Sequence, residues 1–335
     1  MKKSSLPKEY KTELGYLETH KAIKLAKDTF EKKLAEKLSL HRVSAPRFIR
    51  TDKGLQDDLA GTQVPVGFDI KHTKERVEVV HSLAKWKRHT LGRHKFKHGS
   101  GIYTDMDAIR KDEELSPIHS IYVDQWDWER VIDKKERHRE FLKSTVKKIY
   151  KALLETEEIV STEFPKLEKR LPKDIKFLHT EELEELYPEL TPKEREYEAA
   201  KEHKALFLIG IGHALKCGEP HDLRAADYDD WHLCGDIIVW DDTRKKEIEL
   251  SSMGIRVDKD ALIKQLELVG LGERKELEFH KGILEETTPL TIGGGIGQSR
   301  LCMLLLHKAH IGEVHSSVWP KEVEKEFEEK GVVML

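Results

Sequence analysis

Between positions 16 and 40 apolar residues recur at three- and four-residue spacing, at Ile23, Ala26, Phe30, Leu34 and Leu38. That period predicts an amphipathic helix. A second long helix is predicted over 136–160, with Phe141, Val146, Ile149, Leu153 and Leu154 on one face. Between the two the pattern changes. Val43-Ser-Ala-Pro46 reads as extended chain, because Pro46 ends a helix and suits a strand edge. The segments 76–82 and 118–124 alternate like strands with one buried face. A charged, proline-containing connector covers 164–174.

The second half is richer in strand. The segments 205–211, 236–240, 246–251 and 255–257 are predicted to be neighbours in an antiparallel sheet, and 259–269 and 273–284 to be short helices. Thr291-Ile-Gly-Gly-Gly-Ile-Gly-Gln-Ser-Arg300 then runs into Leu301-Cys-Met-Leu-Leu-Leu306, a glycine-rich strand-to-helix turn. There is no internal repeat and no low-complexity tract. The expected fold class is α+β, one antiparallel sheet flanked by helices, in a single catalytic domain over residues 1–335.

Composition narrows the function classes. The chain has 335 residues, 38% of them hydrophobic, enough for a substantial core. Charged residues reach 36%, against about a quarter in ordinary proteins, yet the net charge is only −3. This balance suits a soluble protein laced with surface ion pairs, not a nucleic-acid binder, which carries a basic excess. Basic runs such as 85–98 are local. Cys217, Cys234 and Cys302 form no CxxC and no zinc-like spacing with histidine, so neither zinc nor a disulfide framework is expected. The first residues lead into no apolar segment, and no apolar run is long enough to span a bilayer. A cytoplasmic location is the expectation.

The glycine run offers the first chemistry. Glycines let backbone pass close to a flat or charged ligand, and Arg300 brings a planar fork that suits phosphate or a base. By itself the run fits a tight strand-to-helix turn equally well. No Lys-Ser/Thr follows it, so it is no P-loop, and no βαβ unit follows it, so it is a poor dinucleotide fingerprint.

Three other segments concentrate polar residues. Leu55-Gln-Asp57-Asp58 stands near His81-Ser82-Leu-Ala-Lys85-Trp-Lys87. Arg110-Lys-Asp112 precedes His119-Ser-Ile-Tyr-Val-Asp124-Gln125-Trp-Asp127-Trp-Glu129. His221-Asp-Leu-Arg224-Ala-Ala-Asp227 leads to Asp236, Glu249, Ser251 and Ser252. A hairpin would set Arg110 opposite the acids at 124–129. Cross-strand ion pairs on a surface hairpin, and aromatic core packing for Trp126 and Trp128, are the plainer readings of that stretch.

Together these residues resemble the class II aminoacyl-tRNA synthetases. The helix ending at Val43-Ser-Ala-Pro46 resembles their first motif, which lies at a dimer interface. Arg110 through His119 and the acid-ended strand resemble the second. Gly293-Gly-Gly-Ile-Gly297 with Arg300 resembles the third, with Ser299 where a more acidic residue is common. The longer stretches His81-Ser-Leu-Ala-Lys-Trp-Lys-Arg, Tyr122-Val-Asp-Gln-Trp-Asp-Trp-Glu-Arg, Asp227-Tyr-Asp-Asp-Trp, and Leu250-Ser-Ser-Met-Gly-Ile-Arg-Val are similar to the ammonia-dependent asparagine synthetases, or aspartate–ammonia ligases. This likeness runs from about residue 17 to Trp319-Pro320. Leu55 and a shortened stretch between Trp231 and Gly235 depart from it.

The resemblance implies ATP as co-substrate, Mg²⁺, and L-aspartate and ammonia as partners in a homodimer without tRNA. It implies attack of the aspartate β-carboxylate on the α-phosphorus, then displacement of AMP by ammonia. Arg110 and Arg300 would neutralise phosphate charge, His119 would cap the adenine, and Gly297 would lie along the nucleotide. Asp236 and Glu249 are the candidates for Mg²⁺. Lys87 and Arg224 would face the carboxylates of aspartate, with Ser82, Gln125, Ser251, Ser252 and Gly295 completing its shell. Asp57 and Asp124 are left for the ammonium, Asp57 as the general base. A turn aspartate bonding its own backbone is the plainer reading of Asp57.

A glutaminase would need a cysteine nucleophile, and no cysteine here has such a setting, so free ammonia is the expected donor. Two other classes stay open. A tRNA-charging enzyme for Asp or Asn would carry an anticodon barrel ahead of the core, for which the stretch before the first helix is too short. A non-catalytic binding paralogue would have lost some of Arg110, Arg300, Asp236 and Glu249.

Overall fold

The protein is described by a computed structural model covering residues 6–335. Its strands are β1 (Leu40–Arg42), β2 (Phe48–Arg50), β3 (Gly67–Asp69), β4 (Arg76–Val79), β5 (Gly101–Ile109), β6 (Tyr122–Val131), β7 (Lys176–His179), β8 (Ala205–Ile209), β9 (Asp229–Asp241), β10 (Lys246–Arg256) and β11 (Thr291–Gly297). The helices are α1 (Tyr16–Leu38), α2 (Ala84–Arg93), α3 (Arg139–Glu163), α4 (Thr180–Leu186), α5 (Pro192–His203), α6 (Lys259–Leu268), α7 (Glu278–Leu284), α8 (Gln298–Leu305) and α9 (Lys321–Lys330).

Eight strands form one sheet in the order β1-β5-β6-β11-β10-β9-β8-β7, and β2-β4-β3 form a small second sheet. The antiparallel expectation holds for the centre only. The outer pairs β1–β5 and β7–β8 are parallel, so the sheet is mixed. Both parallel strands are reached through long connections, as parallel pairing requires.

The apolar stripe of α1 packs on one face of this sheet. Ala22, Ala26, Phe30, Leu34 and Leu38 are buried with Val146, Ile149 and Leu153 of α3 and Trp126 and Trp128 of β6. The Phe30 and Trp126 ring centroids lie 4.9 Å apart. Strand alternation then decides what looks the other way: with Trp126 and Trp128 against α1 and α3, Gln125, Asp127 and Glu129 face the opposite side.

Several predicted elements move. The strand read over 118–124 begins only at Tyr122. Before it the Ser116 and Ser120 hydroxyls accept from the Ile118 and Tyr122 amides, which draws these groups out of a ladder. The segments 246–251 and 255–257 are one strand, β10. The predicted helix at 273–284 is a 3₁₀ turn over Gly272–Glu276 followed by α7. The shortened stretch 231–235 is no loop. It runs inside β9, an unbroken strand of 13 residues.

Candidate active site

A cavity of about 410 Å³ opens on the side of the sheet away from α1 and α3. Its floor is the glycine run. Gly294, Gly295 and Gly297 line it, and the glycines are needed there. A Cβ at Gly295 would collide with the Gln125 carboxamide, and one at Gly293 with the Glu129 carboxylate. Gln125, Ser251, Ser252, Asp57, Ser82, Arg224, Arg110, His119, Glu249 and Arg300 form walls. A β-bulge between Glu249 and Ser251 shifts the strand's phase, which lets both Ser251 and Ser252 line the cavity.

Two arginines enter with donors to spare. Arg110 follows β5, its amide bonded to the Ile121 carbonyl at 2.8 Å. Among the described residues it has no carboxylate within ion-pair distance, contrary to a cross-strand ion pair. Its side chain donates only to the His81 carbonyl, at 3.3 Å, and its buried Nε has no partner. Arg300 sits in the first turn of α8. It donates to the carbonyls of Ile118 at 3.3 Å and Glu249 at 2.9 Å. Between them lies His119, whose Nδ1 is 2.8 Å from the Ser116 hydroxyl. Burial, then Arg300, pushes this imidazole down to about 4, so the ring is neutral near pH 7.

Asp57 is buried, at 1% exposure. Its Oδ2 accepts from the Ser82 hydroxyl at 2.7 Å and the Tyr228 hydroxyl at 3.0 Å. Its Oδ1 accepts from the Leu59 amide at 2.9 Å. That last bond is the one a turn aspartate would make, but the other two tie Asp57 to distant elements. Leu59 and Ala60 hold φ of 51° and 58°, a left-handed turn that non-glycine residues rarely adopt.

Other expected site residues are engaged differently. Lys87 does not reach the cavity wall. It is fully buried under the floor, bonded to the Asp127 carboxylate and to the carbonyls of Trp128 at 2.9 Å and Gly294 at 3.3 Å. Burial pushes its ammonium down despite Asp127 and Glu129. Lys85 and Arg88 are buried as well, so the basic strip on α2 points inward. Asp124 lies at the cavity edge, but its carboxylate is taken by the Ser299 amide at 3.0 Å, the Ser299 hydroxyl at 2.8 Å and Lys27 at 2.9 Å. Burial alone would raise its pKa; Lys27, His315 and Ser299 outweigh that and hold it below the usual range. Asp124 thus caps α8, the helix that carries Arg300.

Arg224 and Asp236, expected on different ligands, pair with each other at 2.6 Å, and Ser252 accepts a second bond from Arg224. Burial raises Asp236 to about 6 against the pull of Arg224, and Glu249 adds to the rise. Glu249 lines the cavity while Asp236 lies behind Arg224, so a divalent cation on these two acids would have to take the place that Arg224 holds on Asp236. Among the described residues there is no cluster of three or more metal-type ligands. Two carboxylates with phosphate and water suit Mg²⁺, which keeps much of its shell outside the protein.

Tyr228, Asp127, Asp229 and Arg256 also line the cavity. Tyr228 stands in the quoted Asp227-Tyr-Asp-Asp-Trp stretch, but nothing in its spacing marked it as a partner of Asp57. Arg256 is held by Glu129 at 2.9 Å and by Asp229, and its guanidinium lies 5.5 Å from the Tyr228 ring centre.

A family model described as aspartate-ammonia ligase matches residues 17–331. An aspartate–ammonia ligase of Clostridium tetani (strain Massachusetts / E88) is 58% identical over 331 residues, covering 98% of this chain and 97% of that one. One from Clostridium perfringens (strain SM101 / Type A) is 54% identical over 336 residues, covering all of both. The fold resembles asparaginyl-tRNA synthetase from Pyrococcus horikoshii complexed with asparaginyl-adenylate, with a TM-score of 0.65 at 14% identity, over 90% of this chain and 70% of that one. At that identity the likeness concerns the fold, an α+β class II synthetase core.

Proposed function

The chain belongs to the aspartate–ammonia ligase family, and from that premise we propose how its cavity divides the work. The reaction makes asparagine from aspartate and ammonia through β-aspartyl-AMP, with ATP consumed and AMP and pyrophosphate released. Both steps need a preorganised, charge-neutralising site.

In the first step the aspartate β-carboxylate attacks the α-phosphorus, a P–O bond forms, and pyrophosphate leaves. Arg110 grips the α-phosphate with a fork that no carboxylate occupies. Arg300 serves the far end of the nucleotide, and the neutral His119 ring meets the adenine, with Gly297 beside the nucleotide. Asp236 and Glu249 would hold Mg²⁺, which supplies further neutralisation of the phosphates. Arg224 releases Asp236 and turns to an aspartate carboxylate. Gln125, Ser251, Ser252 and Gly295 complete the aspartate shell, and Ser251 supports this with a buried hydroxyl that has no partner. Lys87 positions the Gly294 floor from beneath.

In the second step ammonium gives a proton to Asp57. The freed ammonia attacks the β-carbonyl carbon, a C–N bond forms, the nitrogen loses one more proton to water or the departing phosphate, and the C–O bond to AMP breaks. Free ammonia as donor agrees with the two buried thiols, the third, Cys217, being exposed and outside the cavity lining. Burial pushes Cys234 and Cys302 up to about 12, far from a reactive thiolate. A two-fold dimer through α1 and the Pro46 stretch, and a cytoplasmic setting, belong to the same proposal. No helix among the described residues is long and apolar enough to cross a membrane.

The unpaired Arg110 guanidinium on the cavity wall carries this reading. The test is isotope exchange of pyrophosphate into ATP without ammonia. Exchange that depends on aspartate is expected, and exchange that ignores aspartate would reject the adenylate.

A further inference from the structure

A carboxylate has about four acceptor sites, two on each oxygen. On Asp57 three are filled. Oδ2 takes the Ser82 hydroxyl at 2.7 Å and the Tyr228 hydroxyl at 3.0 Å. Oδ1 takes the Leu59 amide at 2.9 Å. One site on Oδ1 remains. The cavity residues holding Oδ2 come from separate elements: Ser82 precedes α2, and Tyr228 immediately precedes β9.

Tyr228 is itself fixed. The Val257 amide donates to its carbonyl at 2.9 Å. Its ring stands over the guanidinium of Arg256 at 5.5 Å, and that arginine is immobilised by Glu129 and Asp229. Burial, with Asp57 and Asp229 nearby, pushes the phenol well above its ordinary value. The hydroxyl therefore keeps its proton and can only donate it to Asp57 as a hydrogen bond.

We propose that Tyr228 is the positioning residue of the ammonium seat: with Ser82 it saturates one oxygen of the Asp57 carboxylate and leaves a single acceptor site on the other. This rests on Asp57 being the ammonium-binding base. A seat with one open acceptor fixes where the small cation binds, and so where its nitrogen lies when the proton is transferred. Without the phenol, Oδ2 regains an open site, the carboxylate can turn, and ammonium or water can bind in unproductive poses.

The test is Tyr228→Phe, which removes one oxygen and keeps the ring over Arg256. It is compared with Ser82→Ala, Asp57→Asn and the unaltered enzyme by two assays, pyrophosphate exchange without ammonia and asparagine formation against ammonium concentration. A hydrogen bond to a charged group supports an expected fall of about 10- to 100-fold in kcat/KM for ammonium in Tyr228→Phe, carried by kcat because misplaced ammonium still binds. Exchange and KM for aspartate stay unchanged, and the thermal midpoint falls by a few degrees at most, by about as much in Ser82→Ala. Ser82→Ala lowers kcat/KM for ammonium in the same direction, and Asp57→Asn loses asparagine formation while keeping exchange. Unaltered ammonium kinetics in Tyr228→Phe, with Asp57→Asn blocked in the second step, overturns this inference and leaves the base in place. Equal loss of both half-reactions in Tyr228→Phe also overturns it. Full asparagine formation in Asp57→Asn overturns the base, and the seat with it.

Discussion

At the residue scale, the sharpest contrast is between two cations that the sequence could not tell apart. Arg110 and Lys87 both stand in polar stretches, yet one faces the cavity unpaired and the other lies in the core against Asp127. Arg110→Lys keeps the charge but loses the fork. It is expected to cut aspartate-dependent exchange by about 10²-fold or more with unchanged unfolding; near-normal exchange would reduce Arg110 to a hairpin residue. Lys87→Met should instead act on stability. It leaves Asp127 without its counter-charge while Glu129 keeps Arg256, and removing one partner of a buried pair costs about 3–5 kcal/mol, readable by urea unfolding. Unchanged stability with loss of aspartate binding would restore Lys87 to the cavity. His119, pushed down to about 4 by burial and Arg300, is neutral between about pH 6 and 8. KM for ATP should show no step there from this ring. The unfolded chain takes up that proton below about 6.5 and the folded one only near 4. This residue therefore lowers stability as pH falls through that window.

At the element scale, long apolar periods were legible and short or polar elements were not. Residues 16–40 yielded α1 because five buried apolar positions fix one stripe. The helix α2 escaped, since Lys85, Lys87 and Arg88 point inward and invert the pattern of a surface helix. The edges of the sheet could not be read either, because parallel pairing depends on distant strands. The resemblance places both Asp124 and Gln125 on ligand, although alternation sets neighbours on opposite faces. Trp126 and Trp128 in the core already implied that Asp124 turns toward α1. As the cap of α8, Asp124 holds the helix that aims Arg300. Asp124→Ala should cost about 1 kcal/mol of stability, the usual worth of a cap, and raise KM for ATP more than KM for ammonium. The reverse order in a kinetic comparison would return Asp124 to the ammonia step.

At the scale of the whole molecule, the sequence motifs lie far apart in the chain, and only the sheet brings them to one cavity. The central strand β11 contributes the floor, and the hairpin β5–β6 and the bulged β10 contribute walls. The dimer proposed through α1 predicts a two-fold species in sedimentation, and a fully active monomer would contradict it. The central claim concerns which bonds of ATP and which nitrogen source the cavity uses. It is tested most directly by incubating the purified protein with aspartate, ATP and Mg²⁺, with either ammonium or glutamine, and following products by phosphorus NMR and amino-acid analysis. Asparagine, AMP and pyrophosphate in equal amounts with ammonium, and none with glutamine, is the expected result. ADP with inorganic phosphate, or asparagine formed only from glutamine, would contradict it.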